Sequence, residues 1–259
     1  MILHSLLLLG AKMATAALIV VSTSVLAERS RPFLAAMLAT LPISAGPALA
    51  FLAAEHPPAF IEGALLGALV TNIATGLYCL IYAHAAQRFA TLPSLLLSLS
   101  GWALIALVLQ RLPWSFPLAL AASLVIYPLL IRLVRPFLSN DRIVAPPRPW
   151  FAIPLRALAV GTLVATVTGL SWTLGPSLSG LLTVFPIVLS SLVAILQPRI
   201  GGAPTVAVIA SGLPGLMGFA LALALAGWLV APLGSYPALA IGLAACLAWN
   251  GALVLLRRR

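Results

Sequence analysis

The stretch RPFLAAMLATLPI (Arg31–Ile43) lies over GPSLSGLLTVFPI (Gly175–Ile187) without a gap, and each carries a proline near both ends. Matches between leucines and alanines carry little information in so apolar a chain, whereas coincident prolines carry more because proline punctuates local structure. The same shift superposes two further pairs, Pro93 on Pro237 and Lys12 on Arg156. We therefore predict that the chain contains two copies of one structural unit.

The composition indicates which solvent surrounds this chain. Of its 259 residues, 63% are hydrophobic and 7% are charged, and the mean hydropathy is +1.17. Soluble domains are far less apolar. Apolar segments of about 20 residues, long enough to cross the hydrocarbon of a bilayer, recur along the whole length. The sequence therefore predicts an all-α polytopic transmembrane helix bundle with no room for a separate soluble domain.

Clusters of proline, glycine and charge separate the apolar segments. They predict about nine spans, at Leu3–Ala27, Pro32–Ala53, Phe60–Ala86, Leu92–Leu112, Trp114–Val134, Phe151–Thr173, Pro176–Leu196, Pro204–Val230 and Tyr236–Leu256. The net charge of +10 comes from arginines scattered beside these spans, so a nucleic-acid partner is not expected. With this count nearly all of the arginines share one side, which predicts a bacterial inner-membrane protein with its N-terminus outside and its C-terminus cytoplasmic.

The duplication predicts an inverted topology. Residues 1–112 form the first four-span repeat, residues 113–150 form a connector span and a basic cytoplasmic loop, and residues 151–259 form the second repeat. Spans 1–4 then pair with spans 6–9, and the copies lie upside-down because an odd number of spans separates their starts. Inverted repeats are typical of secondary transporters, which hold substrate near mid-membrane between interrupted helices.

A proline lies about halfway along the second helix of each repeat, where it removes a backbone donor that hydrocarbon cannot replace. In the first repeat (TLPISAGP), Ser44 and Gly46 follow Pro42, which favours a true interruption. In the second repeat (VFPIVLSS), Ser190 follows Pro186 without a glycine, which favours a simple kink. Ordinary packing kinks at both prolines are the alternative.

Lys12 is the most informative charged residue. It stands about nine residues into the first span, where a charge costs about 2.5–3.5 kcal/mol on insertion scales, so it should face a cavity or a partner. Arg156 is nearer a boundary and can extend its charge to the interface. Two such cations suit an anionic ligand. The predicted substrate-binding residues are Lys12, Pro42, Ser44, Gly46, Asn72, Arg156, Pro186 and Ser190.

Glu62 and His56 lie close together in sequence near the outer mouth of the third span, where a carboxylate and an imidazole can bind or relay a proton. Solvated loop ends without a function are the alternative. Cys79 and Cys246 fall inside spans and are expected to be packing residues. Because the sequence has no metal-ligand spacing, nucleophile elbow or phosphate loop, we expect no enzyme activity, no cofactor and no metal.

The segment RSRPFLAAMLATLPISAGPALAFL, the glycine-bearing third span and LPSLLLSLSGWALIAL resemble the GlpM-like small bacterial inner-membrane proteins. Those are short four-span proteins with a comparable proline in the second span, and the resemblance covers the first half of this chain. It implies an inner-membrane location and a modular four-span unit, with loose associations to glycerol metabolism and exopolysaccharide production. It assigns no site residue.

Two functional classes follow. The first is a secondary transporter or flippase-like carrier for a small or amphipathic anion. The alternative is a non-transporting membrane subunit or scaffold of a polysaccharide or lipid assembly system. The expected partners are the lipid bilayer and an anionic small molecule or lipid, and a homodimer stays open. Whether Lys12 faces a cavity or a helix–helix contact should discriminate between the two classes.

Overall fold

The computed structural model describes residues 2–29, 44–138 and 149–256, with side chains described from residue 9 to 23 in the first range. Throughout these ranges the secondary structure is helical and contains no strand. The helices are α1 (Ile2–Arg29), α2 (Ala45–Glu55), α3 (Pro58–Ala85), α4 (Thr91–Leu109), α5 (Phe116–Val134, continued by a 3-10 turn at Arg135–Phe137), α6 (Ala152–Thr183), α7 (Ile187–Ile200), α8 (Gly202–Ala210), α9 (Leu213–Leu233) and α10 (Ser235–Leu256). Pro42 lies outside the described residues.

Six described helices are long and apolar enough to cross a membrane: α3, α4, α5 with its 3-10 turn, α6, α8 and α9 taken together, and α10. Three apolar stretches are shorter, namely Leu9–Thr23 within α1, α2 and α7. The prediction of an all-α, membrane-type chain is therefore confirmed at this level. The count of nine spans and the inverted repeat stay predictions.

Helix α3 forms the centre of the bundle. It has 28 residues, about 42 Å of helix, and is buried over most of its length. Helix α6 reaches it through small residues. A Cβ on Gly180 would lie 2.0 Å from the Ala64 carbonyl oxygen, and one on Gly67 would lie 2.4 Å from that of Ser177. Backbone therefore packs directly on backbone here, as small residues allow in membrane helices.

Helix α6 bends sharply at Gly175. This glycine has φ +74 inside an otherwise helical segment and is followed by Pro176. Before the bend α6 runs antiparallel to α1, since Gly161 packs on Met13 and Gly169 packs on Leu9. After the bend the chain turns back along α3. The bend coincides with the predicted boundary between the sixth and seventh spans.

A second break separates α6 from α7. Helix α6 ends at Thr183, and Pro186 has a non-helical conformation (φ −76, ψ 49). The Ile187 N–H then bonds the Phe185 carbonyl at 2.7 Å, which closes a tight turn. The simple kink expected at Pro186 is therefore wrong: the helix stops, and a new helix begins one residue after the proline.

The short helices α2 and α7 lead to opposite ends of α3. Helix α2 has 11 residues and ends at Glu55, beside the start of α3. Helix α7 has 14 residues and leads to the other end, where the Gln197 side chain donates to the Phe89 carbonyl at 3.0 Å. Their lengths are about 16 and 21 Å, against about 30 Å for the hydrocarbon of a bilayer.

Charge is distributed unequally between the two ends of α3. Arg88 follows its C-terminus, and the ring of Phe137 packs on His84 at 4.4 Å, which brings Arg135 to the same end. Arg199 lies at the end of α7 that reaches this region. Glu55 and Glu62 lie at the opposite end. The described arginines are thus concentrated where α3 ends, and the described carboxylates where it begins.

Candidate functional site

Lys12 forms an ion pair with Glu55, which joins α1 to α2. The two side chains are 15% and 30% exposed. The prediction that this buried cation needs a cavity or a partner is met by a carboxylate from a neighbouring helix. Arg156 lies on α6 five residues before Gly161, the residue that packs beside Met13.

His56 is held immediately beside this ion pair. Its ring stacks on Phe60 with centroids 3.7 Å apart and contacts Trp172 at 4.1 Å. Nε2 lies 2.7 Å from the Ser171 hydroxyl oxygen, so the imidazole links the connection between α2 and α3 to α6. The residue is 6% exposed, and its Nδ1 has no hydrogen-bond partner.

The electrostatics of His56 favour the neutral imidazole. Burial lowers its pKa, the nearby Glu55 carboxylate raises it, and the Lys12 ammonium lowers it. Burial is the largest of these effects because the charged form loses hydration that the surrounding rings cannot replace. A proton arriving at His56 would place a second positive charge beside Glu55, which Lys12 already neutralises.

Glu62 does not join His56, although the sequence suggested that they act together. Its side chain is exposed and lines a separate cavity of about 440 Å³. The other walls of this cavity come from the start of α5 and from Trp228 on α9. The charged groups that act on His56 are Glu55 and Lys12, and proton coupling by Glu62 and His56 stays a prediction.

A polar seam runs along one face of α3, formed by Thr71, Thr75, Tyr78 and Tyr82. Each residue bonds a neighbouring helix: Gln110 donates to Thr71 at 3.0 Å, Trp102 donates to Thr75 at 3.1 Å, Tyr78 and Ser190 lie 3.2 Å apart, and Tyr82 donates to Gln197 at 3.0 Å. The two tyrosines are not among the residues predicted from the sequence. The spacing by three and four residues, which places all of them on one helix face, is the signal that could have found them.

The polar seam meets the break between α6 and α7. The Thr75 hydroxyl oxygen lies 3.4 Å from the Val184 carbonyl oxygen and equally far from the Thr71 carbonyl oxygen of its own helix. Pro186 lies two residues after Val184. Ser190, on the first turn of α7, contacts Tyr78 of α3. Two predicted site residues, Pro186 and Ser190, therefore lie beside uncharged hydroxyl and amide groups within the bundle.

Asn72 joins α3 to α9. Its Nδ2 donates to the Leu216 carbonyl at 2.9 Å, and these residues are 144 positions apart in the sequence. The Asn72 carbonyl accepts a bond of 2.7 Å from the Tyr127 hydroxyl on α5, while its Oδ1 has no partner. Asn72 therefore makes an interhelical contact on the side of α3 that faces α9.

The remaining predicted residues lie at the start of α2. Ser44 precedes the helix, and Gly46 lines a cavity of about 480 Å³ between α1, α2, α9 and α10. This cavity is apolar and does not include Lys12 or the polar seam. The predicted site residues within the described ranges are thus divided among an ion pair, a polar seam, an interhelical contact and an apolar cavity.

Within the described ranges no group of three or more His, Cys, Asp or Glu residues could hold a metal ion. No family model, no curated protein and no solved structure matches this chain. The resemblance to GlpM-like proteins stays a prediction. Function is inferred below from the chain's own residues.

Proposed function

We propose that the protein is a secondary transporter or flippase-like carrier for a small or amphipathic anion. The observation that carries this proposal is the pair of short helices, α2 and α7, that run to opposite ends of α3. The first residue of α2, Ala45, is 2% exposed, and α7 begins at a break beside the polar seam. The break before α7 is of the kind that holds substrate near mid-membrane in carriers that open alternately to the two sides.

An inverted repeat is supported by how α3 and α9 pack. Leu65 packs in one cluster with Leu223, and Tyr78 packs in another with Leu213, so the two helices run antiparallel. Asn72 bonds Leu216, its counterpart 144 positions later. The same separation relates the starts of α3 and α8 and the starts of α4 and α10, which are Pro58 with Gly202 and Thr91 with Ser235.

The ligand charge is inferred from the start of α7. A helix N-terminus carries a partial positive charge and unpaired N–H groups, which favour an anion. Here it lies beside the hydroxyls of Ser190 and Tyr78, which bond each other and so leave one hydroxyl proton of the pair for a ligand. Neutral donors and a helix dipole can hold an anion without the cost of a buried permanent cation.

Proton coupling is assigned to His56 within the same proposal. A proton on His56 adds a positive charge beside Glu55, and this charge competes with Lys12 for the carboxylate. Weakening of the Lys12–Glu55 pair would free α1 from α2 at one end of the bundle. Because α2 is one of the two short helices, this proton would bias the position of half of the transport machinery.

A specific observation favours the alternative, a non-transporting subunit of a polysaccharide or lipid assembly system. Lys12 is engaged in a contact between α1 and α2, and the apolar cavity does not include it. A structural ion pair of this kind can fix a scaffold. The break before α7 favours the carrier, because a scaffold has no need to interrupt a helix within the bundle.

Reconstitution into liposomes tests the proposal. One arm follows NBD-labelled phosphatidic acid by dithionite quenching, and a second follows uptake of radiolabelled inorganic phosphate. We expect protein-dependent movement in at least one arm, and loss of it in Pro186→Ala. The matched control is Pro198→Ala, which alters a proline inside α7 away from the break. If lipid and phosphate both move no faster than in protein-free liposomes, the result would favour the scaffold and contradict the carrier.

A further inference from the structure

The apolar cavity has an unusual relation to the polar seam. Two seam residues and one partner, Tyr78, Tyr82 and Trp102, are aromatic and almost fully buried. The residues 144 positions later, a separation at which Asn72 meets Leu216, are Ala222, Ala226 and Cys246, and all three line the cavity. The counterpart of Ser190, which bonds Tyr78, is Gly46, which also lines the cavity. Three aromatic side chains thus fill the space around the polar seam, and one of them bonds Ser190. The small residues at the counterpart positions leave the apolar cavity open.

The cavity wall is suited to hydrocarbon. Among the described residues that line it, the side chains with a polar atom are Thr23, Tyr236 and Cys246, and none carries a charge. A hydrated head group would lose its hydrogen bonds there without replacement, at a cost of several kcal/mol. The volume of about 480 Å³ lies in the lower half of the range of about 300–1,000 Å³ for small-molecule sites, which leaves room for one chain.

The cavity also reaches the outer surface of the bundle. Ile19, Leu243 and Tyr236 line it and are 38%, 46% and 57% exposed. Helix α10 is long and apolar enough to cross the hydrophobic layer, so its exposed residues Tyr236 and Leu243 are expected to face lipid. A hydrocarbon chain can therefore enter sideways from the bilayer. A Cβ added to Gly46 would meet nothing within 4 Å, which shows that the inner wall is free.

We propose that this cavity binds the hydrocarbon chain of a single-chain anionic lipid, so that the carried anion is amphipathic. This inference rests on the proposed carrier function and names its substrate class. The chain lies between α2, α9 and α10 with its head group directed out of the apolar cavity. Space for the chain exists because Ala222, Ala226 and Cys246 stand at the counterpart positions of three aromatic residues. The head group stays outside because none of the described lining residues carries a charge.

Photolabelling with a diazirine-bearing palmitate tests this inference on the full chain in nanodiscs. We expect saturable labelling of α9 and α10 residues that line the cavity, competed by palmitate but not by inorganic phosphate. Gly46→Leu, which fills the cavity without a clash, should lower this labelling at least about fivefold, since a filled site excludes its ligand. Ala222→Phe, which imitates the aromatic counterpart, should do the same. Ala248→Phe on the exposed side of α10 is the matched control and should leave labelling unchanged.

Two outcomes would overturn the inference. One is labelling that does not saturate and spreads equally over exposed positions of α4 and α5, which indicates contact with bulk lipid. The other is full labelling in folded Gly46→Leu and Ala222→Phe. The two hypotheses fail in different ways. Uptake of inorganic phosphate without palmitate labelling would contradict only the lipid substrate. Saturable labelling without any movement of anions would contradict only the carrier function.

Discussion

Asn72 on α3 donates a hydrogen bond of 2.9 Å to the carbonyl of Leu216 on α9, 144 residues later. A residue that contacts its own counterpart lies close to the axis that would relate two copies. The antiparallel course of α3 and α9 makes that axis perpendicular to the two helices, in the plane of a membrane. A contact of this kind is expected of the inverted repeat, which stays a prediction from the sequence.

Asn72→Leu is expected to lower the free energy of unfolding by about 1 kcal/mol, the usual size of an interhelical hydrogen bond in a membrane protein. The Leu216 carbonyl then loses its side-chain donor. Thermal unfolding in detergent measures the loss. Ser123→Ala is the control, because the Ser123 hydroxyl bonds only as far as Ala119 in its own helix. An equal effect of both variants would mean that the Asn72 bond holds no helices together.

Lys12 and Glu55 are expected to show strong energetic coupling. Lys12→Met leaves a carboxylate unpaired and Glu55→Gln leaves an ammonium unpaired, so each variant should be destabilised. The double variant should recover about 1–3 kcal/mol of that loss, as residues in direct contact do. A double-mutant cycle on thermal unfolding measures the coupling. Additive single losses would show that the ion pair does not hold α1 to α2.

Acidification is expected to destabilise the protein through His56. Burial lowers the pKa of His56 from 6.5, so the unfolded chain takes up this proton more readily than the folded protein. The contribution of neutral His56 to the free energy of unfolding is therefore complete above pH 6.5 and is lost as the pH falls below that value. The melting temperature between pH 8 and pH 5 measures this effect. His56→Gln should flatten the profile, and His84→Gln, whose ring is exposed, should not.

Pro186→Ala is expected to lower anion movement at least about tenfold while leaving the melting temperature unchanged or raised. Alanine restores a backbone donor and permits helix through residues 183–187, which removes the interruption that the carrier uses. Proteoliposome assays and thermal unfolding measure the two effects. Pro198→Ala should alter neither by a comparable amount. A Pro186→Ala variant with full activity would make the break a feature of packing alone.

The orientation predicted from charge can be checked with single cysteines. Arg88 and Glu62 are both exposed and lie at opposite ends of α3. The positive-inside rule places Arg88 in the cytoplasm and the N-terminus outside. A membrane-impermeant maleimide should label Glu62→Cys in intact cells and Arg88→Cys only after permeabilisation. The reverse pattern would invert the proposed topology.

The helical class, the apolar segments typical of a membrane protein and most helix boundaries can be predicted from the amino-acid sequence alone. These properties depend on local composition, because about 20 consecutive apolar residues suffice to define a span and because proline and glycine act on their own turns. The bend at Gly175 follows from such local signals. Whether Pro186 kinks or stops the helix does not, since that depends on how the surrounding helices pack against the break, where Tyr78 of α3 meets Ser190.

Which polar groups meet depends on the packing of distant helices. The tertiary structure pairs Lys12 with Glu55, places Glu62 in a cavity beside Trp228, and joins Tyr78 to Ser190. Each of these outcomes depends on helices that are distant in the chain, and a side chain's own sequence neighbourhood carries no record of its partner. The apolar cavity has the same origin: an empty volume is a property of several helices together, and it arises where small residues from α2, α9 and α10 face one another.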